Sequence, residues 1–213
     1  MTLSPLLTQL GDGASTAGVD CAVLTILNGA RWASGGRVGP HTHAQLPSWV
    51  HAVRNAAHNW STGLLMEHDA LEVYNSAWFH DEFHKHGLTP PRVTYKHDYG
   101  YGSFLDRLRG HQYAHLCVDY GVLNDGHAPT GSLSFRGDHS VAVVDPYKHG
   151  RYLYAHIGDP LCDGRTRWVN GRWFQYPQGW QGTRLFEYRD AAGRWGDSPP
   201  GPGRLTAIFL ERR

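Results

Sequence analysis

Gly18-Val19-Asp20-Cys21-Ala22-Val23-Leu24-Thr25-Ile26-Leu27-Asn28 is the stretch on which the fold turns. A small-residue loop, Gly11-Asp12-Gly13-Ala14-Ser15-Thr16-Ala17-Gly18, runs into an apolar segment whose first position is a cysteine. With Asp20 as N-cap, this pattern predicts a helix from Cys21 to about Ala33, ended by Gly35-Gly36. A thiol at a helix start is favoured as thiolate by the macrodipole and by the unpaired N–H groups of the first turn. Those N–H groups also suit an oxyanion.

Outward from Cys21 the next segments read as helices. Leu46-Pro47-Ser48 opens a second one over 47–59, with Trp49, Val50, Val53, Ala56 and Ala57 on one face. A third covers 68–86, and Phe104, Leu105 and Leu108 mark a short one at 102–109. From residue 111 the pattern changes to strands: 111–122, 139–147, 151–157 and 205–210, with Trp168-Val169 and Trp173-Phe174 flanking an Asn170-Gly171 hairpin turn. Residues 175–202, rich in Gly, Pro and Trp, read as a surface excursion. Helices followed by strands imply an α+β fold, with N-terminal helices packed on a mostly antiparallel sheet. The whole chain, 1–213, reads as a single domain: a loop over 1–20, a helical part over 21–110 and a sheet part over 111–213.

Two strand ends offer partners for the thiol. Gly137-Asp138-His139 opens a Val-rich strand 118 residues after Cys21, and Gly158-Asp159-Pro160 closes the next one. A three-residue loop at Lys148-His149-Gly150 would pair Tyr147 with Arg151 and set Asp159 directly opposite His139. Opposed side chains share a face and sit about 4.5–5.5 Å apart at Cβ. A two-residue loop would move Asp159 to the other face. Asp145, a rival acid, stands six residues along the strand from His139, about 20 Å away at strand rise.

A helix-start cysteine, a strand histidine and a strand-end acid, in this order, resemble the papain-like cysteine peptidases. The likeness is greatest to the bacteriocin-processing (double-glycine) group and its phage and bacterial relatives. Asp20-Cys21, Phe135-Arg136-Gly137-Asp138-His139, Gly158-Asp159-Pro160-Leu161 and the segment Phe104–Val122 carry it, over roughly residues 15–162. The resemblance implies a papain-like fold and a cysteine hydrolase that cleaves an amide bond in a peptide or a peptidoglycan cross-link. Cys21 would be nucleophile, His139 general base and acid, and Asp159 the orienting group, with the Cys21 N–H serving the oxyanion hole and no cofactor. A phage lysin or virion-associated protein is the setting it implies, with virion assembly partners. The chain departs from the family at two points. Ala22 stands where a Gly usually follows the cysteine, and Ser15 and Thr16 stand where a Gln completes the oxyanion hole. Gln9 is the sole upstream Gln and so the candidate second donor. These departures motivate an alternative: a decayed papain-like module with a structural or binding role in a phage particle.

Composition bounds the remaining classes. The net charge of +1 carries no electrostatic signal for nucleic acid. No apolar run approaches the length of a membrane span. Met1–Leu7 lacks a basic and then apolar leader pattern, so we expect no signal peptide, synthesis in the cytoplasm, and release by lysis or with a virion. The three cysteines, Cys21, Cys117 and Cys162, have neither disulfide-framework nor zinc-ribbon spacing. Fifteen histidines raise a second alternative, a His-rich metal-binding domain built on His80, His84 and His86. It lacks a His-Glu-x-x-His pattern, and exposed histidines are the simpler account.

Overall fold

A computed structural model describes residues 5–8, 20–59, 65, 67–100, 108, 112–118, 139–149, 152–160, 163–169, 172–175, 178–187 and 204–213. Helix α1 (Cys21–Ala33) is followed by a 3₁₀ turn at His43–Gln45, then α2 (Leu46–Ala56), α3 (Glu67–Asn75) and α4 (Ala77–Lys85). The strands follow: β1 (Arg92–Gly100), β2 (Tyr113–Val118), β3 (His139–His149), β4 (Tyr152–Gly158), β5 (Thr166–Val169), β6 (Arg172–Gln175), β7 (Gln181–Glu187) and β8 (Arg204–Glu211). Six of them form one sheet in the order β1-β8-β2-β3-β4-β7. Every pairing in it is antiparallel. The class is α+β. The hairpin expected around Asn170-Gly171 is present as β5 and β6, paired up to Val169 and Arg172.

Three sequence expectations are corrected. The single helix expected over 68–86 is two, because Ser76 is extended (φ −70°, ψ 152°) and its Oγ accepts the Phe79 N–H at 3.2 Å as an N-cap. The helical part does not run to 110. After Pro90-Pro91 the chain forms β1, which pairs with β8 at the sheet edge. Val93 and Tyr95, two apart, pack on the core, which is strand alternation. Nor is 175–202 wholly an excursion, since Gln181–Glu187 is β7, an outer strand paired to β4. The short helix expected at 102–109 lies outside the described residues except for Leu108, which is buried.

Helix α1 is the central element. Its apolar run is buried: Ala22, Val23, Leu24, Ile26 and Leu27 are at most 1% exposed. One stripe, Cys21, Thr25 and Gly29, follows the i, i+4 spacing of a helix face. Gly29 lies against Tyr113, Leu210 and Tyr74, and a Cβ there would come within 2.9–3.0 Å of each. The Thr25 carbonyl accepts a hydrogen bond of 2.5 Å from the Tyr113 hydroxyl. The helix-facing row of the sheet therefore includes Tyr113, Ala142, Val144, Ile208 and Leu210, all in the core shared with the helices. The alternate row, with Ala114, Leu116, Val141, Val143 and Phe209, is buried as well.

The β3–β4 register differs from the expected one. His149 pairs with Tyr152, which leaves two residues between the strands rather than three. The register then shifts by one between Val144 and Tyr147, so that Asp145 and Pro146 oppose Ala155 alone. Asp145 takes φ +50°, and Pro146 has no N–H for the ladder. Past this bulge, Ala142 pairs with Gly158.

Candidate functional site around Cys21

Asp20 holds the N-cap position of α1, but its side chain does not cap. It turns instead to Arg54 of α2, whose Nε donates to Asp20 Oδ1 at 3.0 Å and whose Nη2 makes a second, shorter contact to the same oxygen. Both side chains are buried. The first ladder bond of α1 is Leu24 N–H to the Asp20 carbonyl at 2.9 Å. The N–H groups of the first turn are thus left uncapped by Asp20, as an oxyanion site requires.

Cys21 is buried, 7% exposed, at the first position of the helix. Its distance from β3 is bounded by Thr25. Thr25 Oγ1 contacts the Cys21 carbonyl at 2.8 Å and the Ser140 carbonyl of β3 at 3.2 Å. Ser140 is the neighbour of His139. The cysteine is one helical turn, about 5.4 Å along the axis, from a residue that touches the start of β3. The structure therefore brings Cys21 and the His139 backbone to the same end of the molecule. His139 is paired with Val118 of β2, and its side chain lies outside the described atoms.

Asp159 follows β4 directly and is 1% exposed. One further step of the observed register sets position 159 opposite Val141, not His139. The expected direct opposition is therefore corrected to a diagonal one. The two-residue connection would have placed 159 in the wrong row, but the one-residue bulge reverses that change. Positions 139, 141 and 159 thus share a row. That row alternates with the one facing α1. Gly158, before Asp159, lies under Trp180 and Leu6: a Cβ there would fall 2.6 Å from Trp180 Cζ3 and 2.8 Å from Leu6 Cδ1. The N-terminal segment is itself fastened to α1, since Leu7 N–H donates to Asn28 Oδ1 at 2.9 Å and Asn28 Nδ2 donates to the Leu7 carbonyl at 3.1 Å. Gln9, the candidate second oxyanion donor, and Cys162 lie outside the described residues, as does the Cys117 side chain.

Asp145, the rival to Asp159 as orienting acid, stands six residues along β3 from His139. It occupies the bulge at the other end of β3, near enough to Arg212 to favour that guanidinium's charged form. His80, His84 and His86 do not converge, and among the described residues no group of three or more His, Cys, Asp or Glu is placed to hold a metal ion. No helix among the described residues is long and apolar enough to cross a membrane.

Two buried polar residues escape a sequence reading centred on Cys21. Arg54 stands four residues after Val50 and eight after Leu46, on the buried stripe of α2, and a charge in such a stripe signals a buried partner. His115, in the middle of β2, is fully buried, with Nδ1 3.2 Å from the Tyr74 hydroxyl. Burial pushes its pKa down to about 3, so it is neutral at pH 7 and offers no cation to a thiolate.

In comparisons with known proteins, no family model, curated protein or solved structure matches the chain.

Proposed function

We propose that the chain is a papain-like cysteine hydrolase with Cys21 as nucleophile, His139 as general base and acid, and Asp159 as orienting acid. The observation that carries this reading is the bridge from Thr25 Oγ1 to the Ser140 carbonyl, which sets the start of α1 beside the start of β3. Supporting it are the order of helices and antiparallel strands, a first turn of α1 that the Asp20 side chain does not cap, and a buried Asp159 in the same strand row as position 139. In the reaction the Cys21 thiolate attacks an amide carbonyl, and the N-terminal N–H groups of α1 receive the oxyanion. The imidazolium protonates the leaving amine, and water then cleaves the thioester with the imidazole as base. The resemblance supplies the substrate class, an amide in a peptide or a peptidoglycan cross-link, and the setting of a phage lysin or virion protein.

This chemistry requires the His139 imidazole to turn around the end of β3 toward Cys21, because its row alternates with the one facing α1. The same alternation favours the second reading, a papain-like module that retains the helix and sheet but serves structure or binding in a phage particle. Alkylation of Cys21 by iodoacetamide from pH 5 to 9, in a chain with Cys117→Ala and Cys162→Ala, separates the two. Reaction that stays fast below pH 7, and loses that rate in His139→Ala, supports the hydrolase. A profile that follows an ordinary thiol, with a midpoint near about 8.5, removes it.

A further inference from the structure

A cleft of about 330 Å³ lies along the C-terminal half of α1, away from the thiol. Arg31, which lines it, is ten residues past Cys21, about 15 Å along the helix. Neither Cys21 nor Asp159 lines the cleft. Its volume falls in the range of small-molecule sites.

The lining combines two chemistries. Leu6, Leu7, Pro40 and Leu46 give it an apolar lining. Arg31, Arg165, His41 and His43 bring donors to it. Asp163 is the sole carboxylate among the described lining residues, and it is engaged by Arg165: its Oδ1 accepts the Arg165 backbone N–H at 3.0 Å, and its Oδ2 lies 3.5 Å from Arg165 Nε.

Arg31 is different. Its Nη1 donates to the Pro40 carbonyl at 3.0 Å, and its enclosed Nε has no hydrogen-bond acceptor. Among the described residues it has no acidic partner. Its stem is pressed by the backbone at Gly39, where φ is +122° and a Cβ would lie 2.8 Å from Arg31 Cγ. The guanidinium is therefore pre-positioned at low entropic cost, as an anchor for an anion should be. Burial without a neighbouring carboxylate lowers its pKa, the mark of a desolvated charge that lacks a counter-ion.

We propose that this cleft binds a small carboxylate that carries an apolar group, with Arg31 as the anion anchor and Leu6, Leu7, Pro40 and Leu46 as the apolar seat. A planar carboxylate matches a guanidinium edge. An acid with an apolar group uses both the donors and the apolar lining, whereas inorganic phosphate leaves the apolar lining unfilled and loses part of its hydration beside it. The carboxylate belongs either to a peptide C-terminus or to a free branched-chain acid. The site is independent of the hydrolase reading and stands if Cys21 proves inert.

Calorimetric titration of the intact chain tests it, with N-acetyl-L-leucine, 4-methylpentanoate, N-acetyl-L-leucinamide and inorganic phosphate as probes. At least one of the two carboxylates should bind, and the tighter of them identifies the source. The amide, which lacks the charge, should bind at least about tenfold more weakly, the scale of one charge-assisted hydrogen bond. Arg31→Gln should weaken the carboxylate by about tenfold or more, and Arg165→Gln by less. Equal binding of acid and amide by the unaltered chain overturns the proposal without any variant having to fold. So do tighter binding of phosphate, unchanged affinity in a folded Arg31→Gln chain, or no binding of either carboxylate at millimolar concentration.

Discussion

Arg54 reaches back 34 residues to hold Asp20, the residue immediately before the candidate nucleophile, in an ion pair shielded from water. The pair links α2 to the start of α1 and takes the Asp20 carboxylate away from the helix N–H groups it would otherwise cap. One buried pair thereby ties α2 to the residue before Cys21 and keeps the Asp20 side chain from capping the first turn.

Arg54→Leu should destabilise the protein by about 3–5 kcal/mol, because it strands a carboxylate in an apolar site. Asp20→Leu with Arg54→Leu should recover much of that loss, since both charges then leave the interior together. Urea unfolding of the parent, Arg54→Leu and the double variant checks this. Recovery in the double variant is the expected outcome. A single variant that unfolds like the parent contradicts a pair of this importance.

The bulge residue Asp145 sits at φ +50°, where asparagine and aspartate are tolerated and β-branched residues are not. Asp145→Val should cost about 1–2 kcal/mol, and Asp145→Asn should stay within about 0.5 kcal/mol of the parent. If Asp159 orients the site, Asp145→Val should also slow Cys21 alkylation at low pH, because the bulge sets the row in which Asp159 stands. Thermal unfolding and alkylation of the same samples report the two effects. Equal stability of the Val and Asn variants would show that the bulge does not hold the register.

His115 predicts a pH dependence of stability. Its folded-state pKa is about 3, below the ordinary 6.5. Between those values the unfolded chain takes up a proton and the folded chain does not, so unfolding gains as pH falls. The contribution is fully present above pH 6.5 and is lost at up to about 1.4 kcal/mol per pH unit toward pH 3. His115→Gln keeps a neutral polar group near Tyr74 and should remove that slope. Urea midpoints at pH 7, 6 and 5 check it. Identical slopes in parent and variant would count against a histidine kept neutral by burial.

Much of the architecture is legible along the chain. Helix α1 runs from Cys21 to Ala33, where its apolar run, the preceding Asp20 and the following glycines place it. The strand pattern after residue 111 and the ribbon around Asn170-Gly171 follow from alternation and turn chemistry. β1 is less visible, because Arg92, Thr94 and Lys96 dilute its alternation and it forms against β8, more than a hundred residues later. β7 is hidden for a related reason: its Gly182 and Thr183 read as loop until β4 supplies the ladder.

For the site, local sequence determines a thiol at a helix start, a histidine at the first position of a strand and an acid just past another. These are properties of short windows, governed by propensity, capping and period. The tertiary structure alone decides the rest. It gives Asp20 to Arg54 instead of to the helix, sets Thr25 on Ser140, and uses one bulge to return Asp159 to the row that a two-residue connection would have taken it from. Each of these outcomes depends on packing between segments tens of residues apart, where a single residue of register reverses a face and no local rule counts it.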